Sequence, residues 1–483
     1  MEDQNPLANN TRDTECTRIP ITEDEVEDHH QYFDGRQIHR VPQVMRFKKH
    51  NEEDLYAPKI VSIGPYYHGL PELGMAEELK HKVLTDFVSC SGKDREFFYC
   101  QIFKVIDQIR NCYVGVSRDA YDDGELAEIM LLDASFAIYL MKVFVSDKEK
   151  YDHFCQHLGM ALLTFAFQDM LLLENQIPLC VIKLLTKLIY GKREEGHMLI
   201  CDFISNATFG VSRLKIIPGE DRRQPLHLLD ATHRIFVKEL DNTGEELVEE
   251  LDNAGEERVE ELDNTGEELV EDSVNAEKRP VSKCLWWPWR KQNQNEFENY
   301  NRQFRSVTDL KAKGIHFKPS SYCLKNIKFK SYKFYGQLEL PVWLFTINSK
   351  PYFTQMIAYE ASPESNADSI IICYVNFLKS LIIKPEDVKE LREKKILFST
   401  LDSDEQIVKL IKQIDNYGLE DDWIFYDVKK GIEKHCSSKA KTWFAELINT
   451  HFRSPWTLIA LFAATFLLCL TFLQTYYTMN LPK

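Results

Sequence analysis

The sequence predicts a mainly α-helical body with a small antiparallel β element, a disordered acidic insert and one C-terminal transmembrane helix. Three observations carry that expectation. Apolar residues recur at helical spacing over most of residues 75–190 and again beyond 352. Between 315 and 340 they fall instead at alternate positions in short runs, the pattern of half-buried strands. And the twenty-two residues from Trp456 to Tyr477 contain no charged side chain.

The chain has 483 residues, of which 44% are hydrophobic and 28% charged, a globular composition that excludes a fibrous or wholly disordered protein. Its net charge of −16 is local in origin. Residues 239–271 hold fifteen Asp/Glu and one Arg, and the remaining chain holds 60 acids against 58 Lys/Arg. A near-neutral body gives no case for nucleic-acid binding. The twelve cysteines have no C-x-x-C spacing and read as scattered, mostly buried, reduced thiols rather than a disulfide framework or zinc site.

Taken in order, residues 1–37 are expected to be a disordered acidic tail; the first thirty carry nine acids and two arginines and no apolar h-region. Residues 38–238 form the helical N-terminal part. Met75, Leu79, Val83, Phe87 and Val88 make one stripe, and Phe98, Ile102, Val105, Ile109 and Cys112 another. Ile129–Val145 and Gly159–Leu173 are apolar on nearly all sides, enclose Asp133 and Asp169, and are expected to be central helices of a bundle. The run Glu174-Asn175-Gln176-Ile177-Pro178 breaks the pattern, and Pro178 opens a helix over Leu179–Tyr190.

Residues 239–304 are an insertion. It begins with three eleven-residue repeats, ELDNTGEELVE, ELDNAGEERVE and ELDNTGEELVE. An eleven-residue period suits a right-handed coiled coil, but each unit carries a turn signal and repelling charge, so a solvated linker is expected. The segment SKCLWWPWRKQ follows. Its Trp286, Trp287 and Trp289 either contact a partner or an anionic membrane, or rest on the body where the linker rejoins it.

Residues 305–454 are the α+β C-terminal part. Two to four antiparallel strands are expected from Ile315, Phe317, Ile327, Phe329, Leu338 and Leu340, then helices over Tyr352–Glu360 and Ser369–Ile383. Pro385-Glu386-Asp387 opens another helix, Asp402-x-x-Glu405 reads as a capping start for Ile407–Ile414, and Leu419–Phe452 is amphipathic.

Residues 455–477 are the expected transmembrane helix and 478–483 a short tail. Twenty-two helical residues extend about 33 Å, enough for a hydrocarbon core of about 30 Å. Trp456 at one end and Tyr476 and Tyr477 at the other fit an aromatic belt. Lys439, Lys441 and Arg453 precede the span and only Lys483 follows, which favours a cytosolic body in a single-pass protein of the plasma membrane or an endomembrane.

Several segments together resemble the plant domain of unknown function 247 family. The opening IHRVP at residues 38–42 and YAPKIVSIGPYYHG at 56–69 are similar to that family's signature, with Tyr67 where a second His is usual. Met75-Ala76-Glu77 stands where a Met-Glu pair precedes a Lys. The likeness continues through Leu131–Asp133, Asp169–Pro178, His227–Asp230, Thr308–Ile315 and Pro455-Trp456, and the acidic repeats are not part of it. The resemblance implies a plant protein with one C-terminal membrane helix and no assigned activity. Some grass members are implicated as pollen-side determinants of self-incompatibility.

No phosphate-binding loop, dinucleotide fingerprint, zinc-protease or serine-hydrolase motif is present. His153 and His157 share a helix face without a third metal ligand nearby in sequence. The remaining chemistry-bearing set is Asp133, Asp169, Glu174 and Asp230 in apolar settings. If they converge, a metal or acid/base site is conceivable; if not, they tie helices together or cap them, since a buried carboxylate requires partners. Tyr66 and His68 either line a pocket or belong to a rigid loop. The leading expectation is a membrane-tethered interaction or recognition protein with an unknown protein partner, without cofactor or metal. The alternatives are a membrane-bound enzyme using the four carboxylates and a cytosolic-side scaffold at an endomembrane.

Overall fold

The computed structural model describes residues 35–46, 54–145, 147–191, 193–209, 224–237, 305–320, 323–363, 369–419, 424–438 and 455–479. The acidic tail, the repeats, Trp286, Trp287 and Trp289, and Lys439, Lys441 and Arg453 lie outside the described residues.

The N-terminal helices are α1 (Gln43–Arg46), α2 (Gly74–Ser91), α3 (Arg95–Phe103), α4 (Ile106–Asn111), α5 (Asp123–Phe144), α6 (Lys148–His157), α7 (Met160–Met170), α8 (Leu179–Tyr190), α9 (Arg193–Phe209) and α10 (Leu228–Val237). Helix α5 is the axis of this half. Its start is fixed by a capping box: the Asp122 carboxylate accepts from Glu125 N at 2.7 Å, and the Glu125 carboxylate accepts from Asp122 N at 3.0 Å. From Ile129 to Met141 every residue is buried, so α5 needs no polar face, and α2, α3, α8 and α9 surround it.

Two expectations change here. Helix α7 is not central. Only Ala166, Phe167, Asp169 and Met170 are buried, and Met160 is 70% exposed. The chain reverses at Gly159, whose φ of +86° suits glycine, and α7 then crosses an edge of the bundle. In α2 the buried stripe is Ala76, Leu79, Lys80, Val83 and Leu84, so Met75 faces outward and a lysine faces inward.

The C-terminal elements are α11 (Val307–Ala312), β1 (Ile315–Ser320), β2 (Lys328–Ser331), β3 (Gly336–Pro341), β4 (Trp343–Phe345), α12 (Ser349–Glu360), α13 (Ile370–Leu381), α14 (Pro385–Glu393), β5 (Leu397–Ser399), α15 (Asp404–Gln413), α16 (Tyr426–Cys436) and α17 (Pro455–Met479). The strands form a sheet ordered β1-β3-β2 and a separate pair β4-β5. The expected antiparallel pairing is that of β2 with β3, in the register Phe329 opposite Leu338; β1–β3 and β4–β5 are parallel. Alternation shows which residues face the core but not the direction of the neighbouring strand. Helix α14 opens at Pro385 as expected, and the Asp387 carboxylate reaches back to Ile383 N and Lys384 N, both at 3.1 Å. Helix α15 starts one residue later than expected, because the Ser403 hydroxyl accepts from Gln406 N.

Two apolar cores result. One surrounds α5. The other gathers β1, β3, α12 and α13 with Trp343, Phe353 and Tyr374, and it also takes Val41, Met45, Tyr56, Leu173, Leu229 and Phe236 from the N-terminal half. Tyr352 packs against both. Nine described cysteines are free, as expected of reduced thiols, and Cys100 departs from that expectation by forming a disulfide.

Candidate functional site

The four carboxylates singled out in the sequence are all buried, with exposures of 4% or less. Each receives a different part of one segment, residues 36–64, so that they form a line of anchor points for that segment.

At one end, Asp230 sits in the first turn of α10. Arg36 Nη1 donates to its Oδ2 at 2.8 Å and Arg234 Nε to its Oδ1 at 2.7 Å. Leu226 N donates to Oδ2 at 2.8 Å, and the Tyr359 hydroxyl is also bonded to the carboxylate. Burial pushes this carboxyl up, but Arg234, His227 and Arg36 outweigh it and hold it at about 2. His227 caps the same helix: its Nδ1 accepts from Asp230 N at 3.2 Å, which requires a neutral ring. Burial takes the His227 imidazole down to about 4.

Glu174 holds the next stretch. It accepts from Val41 N at 2.6 Å, from the Tyr67 hydroxyl at 2.7 Å and from Arg46 at 2.7 Å. Arg46 also donates to the Tyr67 hydroxyl, at 2.9 Å, and pairs with Asp54. Tyr67 is therefore used structurally, since it completes the coordination of Glu174. The Tyr56 hydroxyl lies 2.5 Å from that of Tyr417, tying this segment to the C-terminal half.

Asp169, at the end of α7, accepts from three successive amides, Lys59, Ile60 and Val61, at 3.0, 2.7 and 2.9 Å. Burial pushes its carboxyl up to about 6 even though those amides favour the charged form. Asn175 takes the next positions, accepting from Ile63 N at 2.7 Å and donating to Val61 O at 2.9 Å. Gln176 accepts from Leu229 N at 3.1 Å and donates to Met170 O and Leu172 O, so the whole turn is bonded internally. Glu174 thus holds the N-terminal segment instead of capping a helix around Pro178, whereas Asn175 does both, since its Nδ2 also donates to Asp169 O in the last turn of α7 at 2.8 Å.

Asp133, in the middle of α5, accepts from Gly64 N at 2.7 Å and from Lys80 Nζ at 2.6 Å. Lys80 is itself fully buried and also donates to Ser62 O, Ser62 Oγ and Glu77. Burial raises the Asp133 carboxyl and the Lys80 ammonium opposes that rise. Gly64 has φ of +86°, and a Cβ there would lie 2.5 Å from Gln176 O; only glycine fits both the conformation and the approach.

Tyr66 and His68 belong to the same loop. The Tyr66 hydroxyl lies 2.7 Å from Ile38 O and 2.8 Å from Val114 O, with the Arg40 guanidinium 4.2 Å over its ring. His68 is in edge contact with Tyr121. His153 and His157 lie with ring centres 4.3 Å apart and planes tilted by 51°, and His153 Nδ1 is bonded to the Tyr139 hydroxyl. Among the described residues, no three His, Cys, Asp or Glu side chains are grouped as a metal ion would require. Asp230 is the one carboxylate of the four that lines the cavity bounded by Arg36, His39, Leu226, His227 and Tyr359, whose volume of ≈ 10 Å³ is about the room one water needs.

Sequence reasoning missed the partners of these acids. Arg36 and Arg46 give no local signal. Lys80 gives one, because it occupies the apolar stripe of α2. Also missed is His233 Nε2 bonded to Glu360 at 2.7 Å, a contact between α10 and α12 in which Glu360 also accepts from Ile371 N and Ile372 N.

Helix α17 is exposed at every described side chain, Tyr476 and Tyr477 included; the side chain of Trp456 lies outside the description. It is long and apolar enough to cross a membrane.

Comparison with known proteins adds the following. The profile of a family described as plant protein of unknown function, DUF247, matches residues 38–470. A putative UPF0481 protein of Arabidopsis thaliana is 24% identical, the match covering 88% of this chain and 87% of that protein. A second UPF0481 protein of the same plant is 24% identical over 87% of this chain and 82% of its own. No solved structure matches.

Proposed function

This chain belongs to the plant DUF247 family of proteins of unknown function, and we propose that it acts as a membrane-anchored interaction protein, with no chemistry of its own and its body on the cytosolic side. The observation that carries the reading is helix α17. Twenty-five residues without an acidic or basic side chain, exposed at every described side chain, leave a large apolar surface that a bilayer covers. The engagement of the acids supports the second part of the reading. A general acid or a metal ligand needs a free oxygen facing a substrate, and Asp133, Asp169, Glu174 and Asp230 are each bonded to the segment 36–64. Recognition of another protein by the folded body is the role this reading gives it. A pollen-side determinant of self-incompatibility is the specific form of it that the family resemblance implies.

The experiment is one of orientation, with full-length protein in plant cells tagged at both ends. Protease protection is run beside a glycosidase mobility shift, with Asn206-Ala207-Thr208 as an acceptor sequence inside the body. A digestible, unglycosylated body is expected. A protected body with a glycosidase-sensitive shift would overturn the cytosolic orientation and move the partner to the cell surface.

A further inference from the structure

We propose that the outer face of the β1-β3-β2 sheet, together with its β2–β3 hairpin turn, docks on an anionic lipid bilayer; the inference rests on the membrane-anchor reading and names the surface that the anchored body turns to the lipid. The chain between Leu310 and Leu338 contains seven lysines and no Asp or Glu, although the whole chain outside residues 239–271 holds 60 acids against 58 Lys/Arg. The sheet register concentrates that charge. Ile315, Phe317, Phe329, Leu338 and Leu340 point inward, so His316 and Lys318 of β1 and Lys328 and Lys330 of β2 project together on the other face. Between them, β3 contributes Gln337 and a single acid, Glu339, 3.7 Å from Lys330 Nζ.

The turn adds Lys333 and an aromatic ledge. Tyr332 and Tyr335 stack at 4.7 Å, Tyr335 is in edge contact with His316, and Phe334 and Tyr335 are 50% and 41% exposed. Clustered lysines with aromatic rings at their margin match the interfacial zone of a bilayer, where ammonium groups meet lipid phosphates and rings rest at headgroup depth.

Covalent geometry brings the surface within reach of the bilayer. Helix α16 covers the inner face of the same sheet. Its Gly431 leaves room for the Phe329 ring, and its His435 Nδ1 is 2.8 Å from Ser331 Oγ. Only sixteen residues separate Ser438, just past α16, from Pro455 at the start of α17. Even fully extended they span no more than about 60 Å. The rival occupant is the acidic repeat segment of this chain, since Leu324 N donates to Phe236 O at 2.8 Å and the insertion therefore begins at the root of the hairpin.

The test uses the full chain reconstituted into nanodiscs of phosphatidylcholine alone or mixed with phosphatidylserine, with hydrogen exchange followed on peptides covering 325–337. Exchange at the turn is expected to slow by about tenfold in the anionic discs. High salt should remove the effect, as should the triple substitution Lys328→Gln, Lys330→Gln, Lys333→Gln. Equal exchange in both discs, with the chain co-eluting with them, overturns the inference and leaves the anchor intact. Protection in both discs that vanishes on deleting residues 239–271 also overturns it, and assigns the face to the repeats. A chain that does not enter discs overturns the anchor reading, and the docking surface with it. Melting of the triple variant at the parent temperature excludes misfolding as the cause of lost protection.

Discussion

Asp133 and Lys80 show what a buried charge demands. Neither is exposed, and each is kept by the other together with Gly64 N and the Ser62 oxygens. Removing Asp133 leaves buried Lys80 with Glu77 as its counter-ion and Gly64 N without its acceptor, a loss of about 3 kcal/mol. Asp133→Ala is therefore expected to lower the unfolding free energy of the full chain, read from urea unfolding in detergent, by that amount, and Lys80→Met added to it should recover part of the loss. A single variant within about 1 kcal/mol of the parent would contradict the pairing. Two groups act in opposite directions between pH 6.5 and 4: Asp169, raised to about 6, adds stability as pH falls, and His227 removes it. The folded value of about 4 for His227 lies below the ordinary 6.5, so the stability it contributes is complete above pH 6.5 and is lost as pH falls toward 4. The loss is about 3 kcal/mol. His227→Asn keeps an acceptor for Asp230 N and removes the titration, so by chemical denaturation its stability relative to the parent should rise by about 2–3 kcal/mol as pH falls from 7 to 4.5. Asp230, held at about 2, adds a further loss only below pH 4.

At the scale of elements, α5 and α7 make the instructive pair. Both read from sequence as apolar all round with one aspartate inside, and only α5 is enclosed by its neighbours. Leu140 in α5 is fully buried, whereas Met160 in α7 is 70% exposed. Leu140→Ala is expected to cost about 2–5 kcal/mol through lost burial and the cavity left behind. Met160→Ala should stay within about 0.5 kcal/mol. Similar losses for both would mean that α7 is buried as deeply as α5. Periodicity identified these helices and the β segments well, since it depends on neighbours within a few residues. It placed the α15 start one residue early and oriented α2 slightly wrong, because Ser403 and Asp402 are equally good caps by type and Met75 and Lys80 differ only in which way the helix is turned.

At the scale of the molecule, the segment 36–64 connects everything. It is fastened to α5, α7, α10 and the 174–176 turn, and through Tyr56 it reaches the C-terminal half. The acidic repeats contain few apolar side chains that a core could bury. Deleting 239–271 is accordingly expected to leave stability within about 0.5 kcal/mol by the same denaturation measurement. A larger loss would assign the repeats a place on the folded body.

By itself the sequence determined the helical character, the strand-forming stretch, the apolar terminal helix, the family and the four acids that had to be either paired or functional. Those features depend on local periodicity, on composition, or on the cost of burying a carboxylate, and all three are properties of residue type. Only the tertiary structure decided which partners those acids take. The contacts each acid makes join residues far apart in the chain: 69 positions from Gly64 to Asp133, 133 from Val41 to Glu174 and 194 from Arg36 to Asp230. No local pattern encodes such pairings. They exist because folding brings amide donors and cationic side chains to carboxylates that have lost their water, and an unbonded acid at those positions would cost more than the fold can offset.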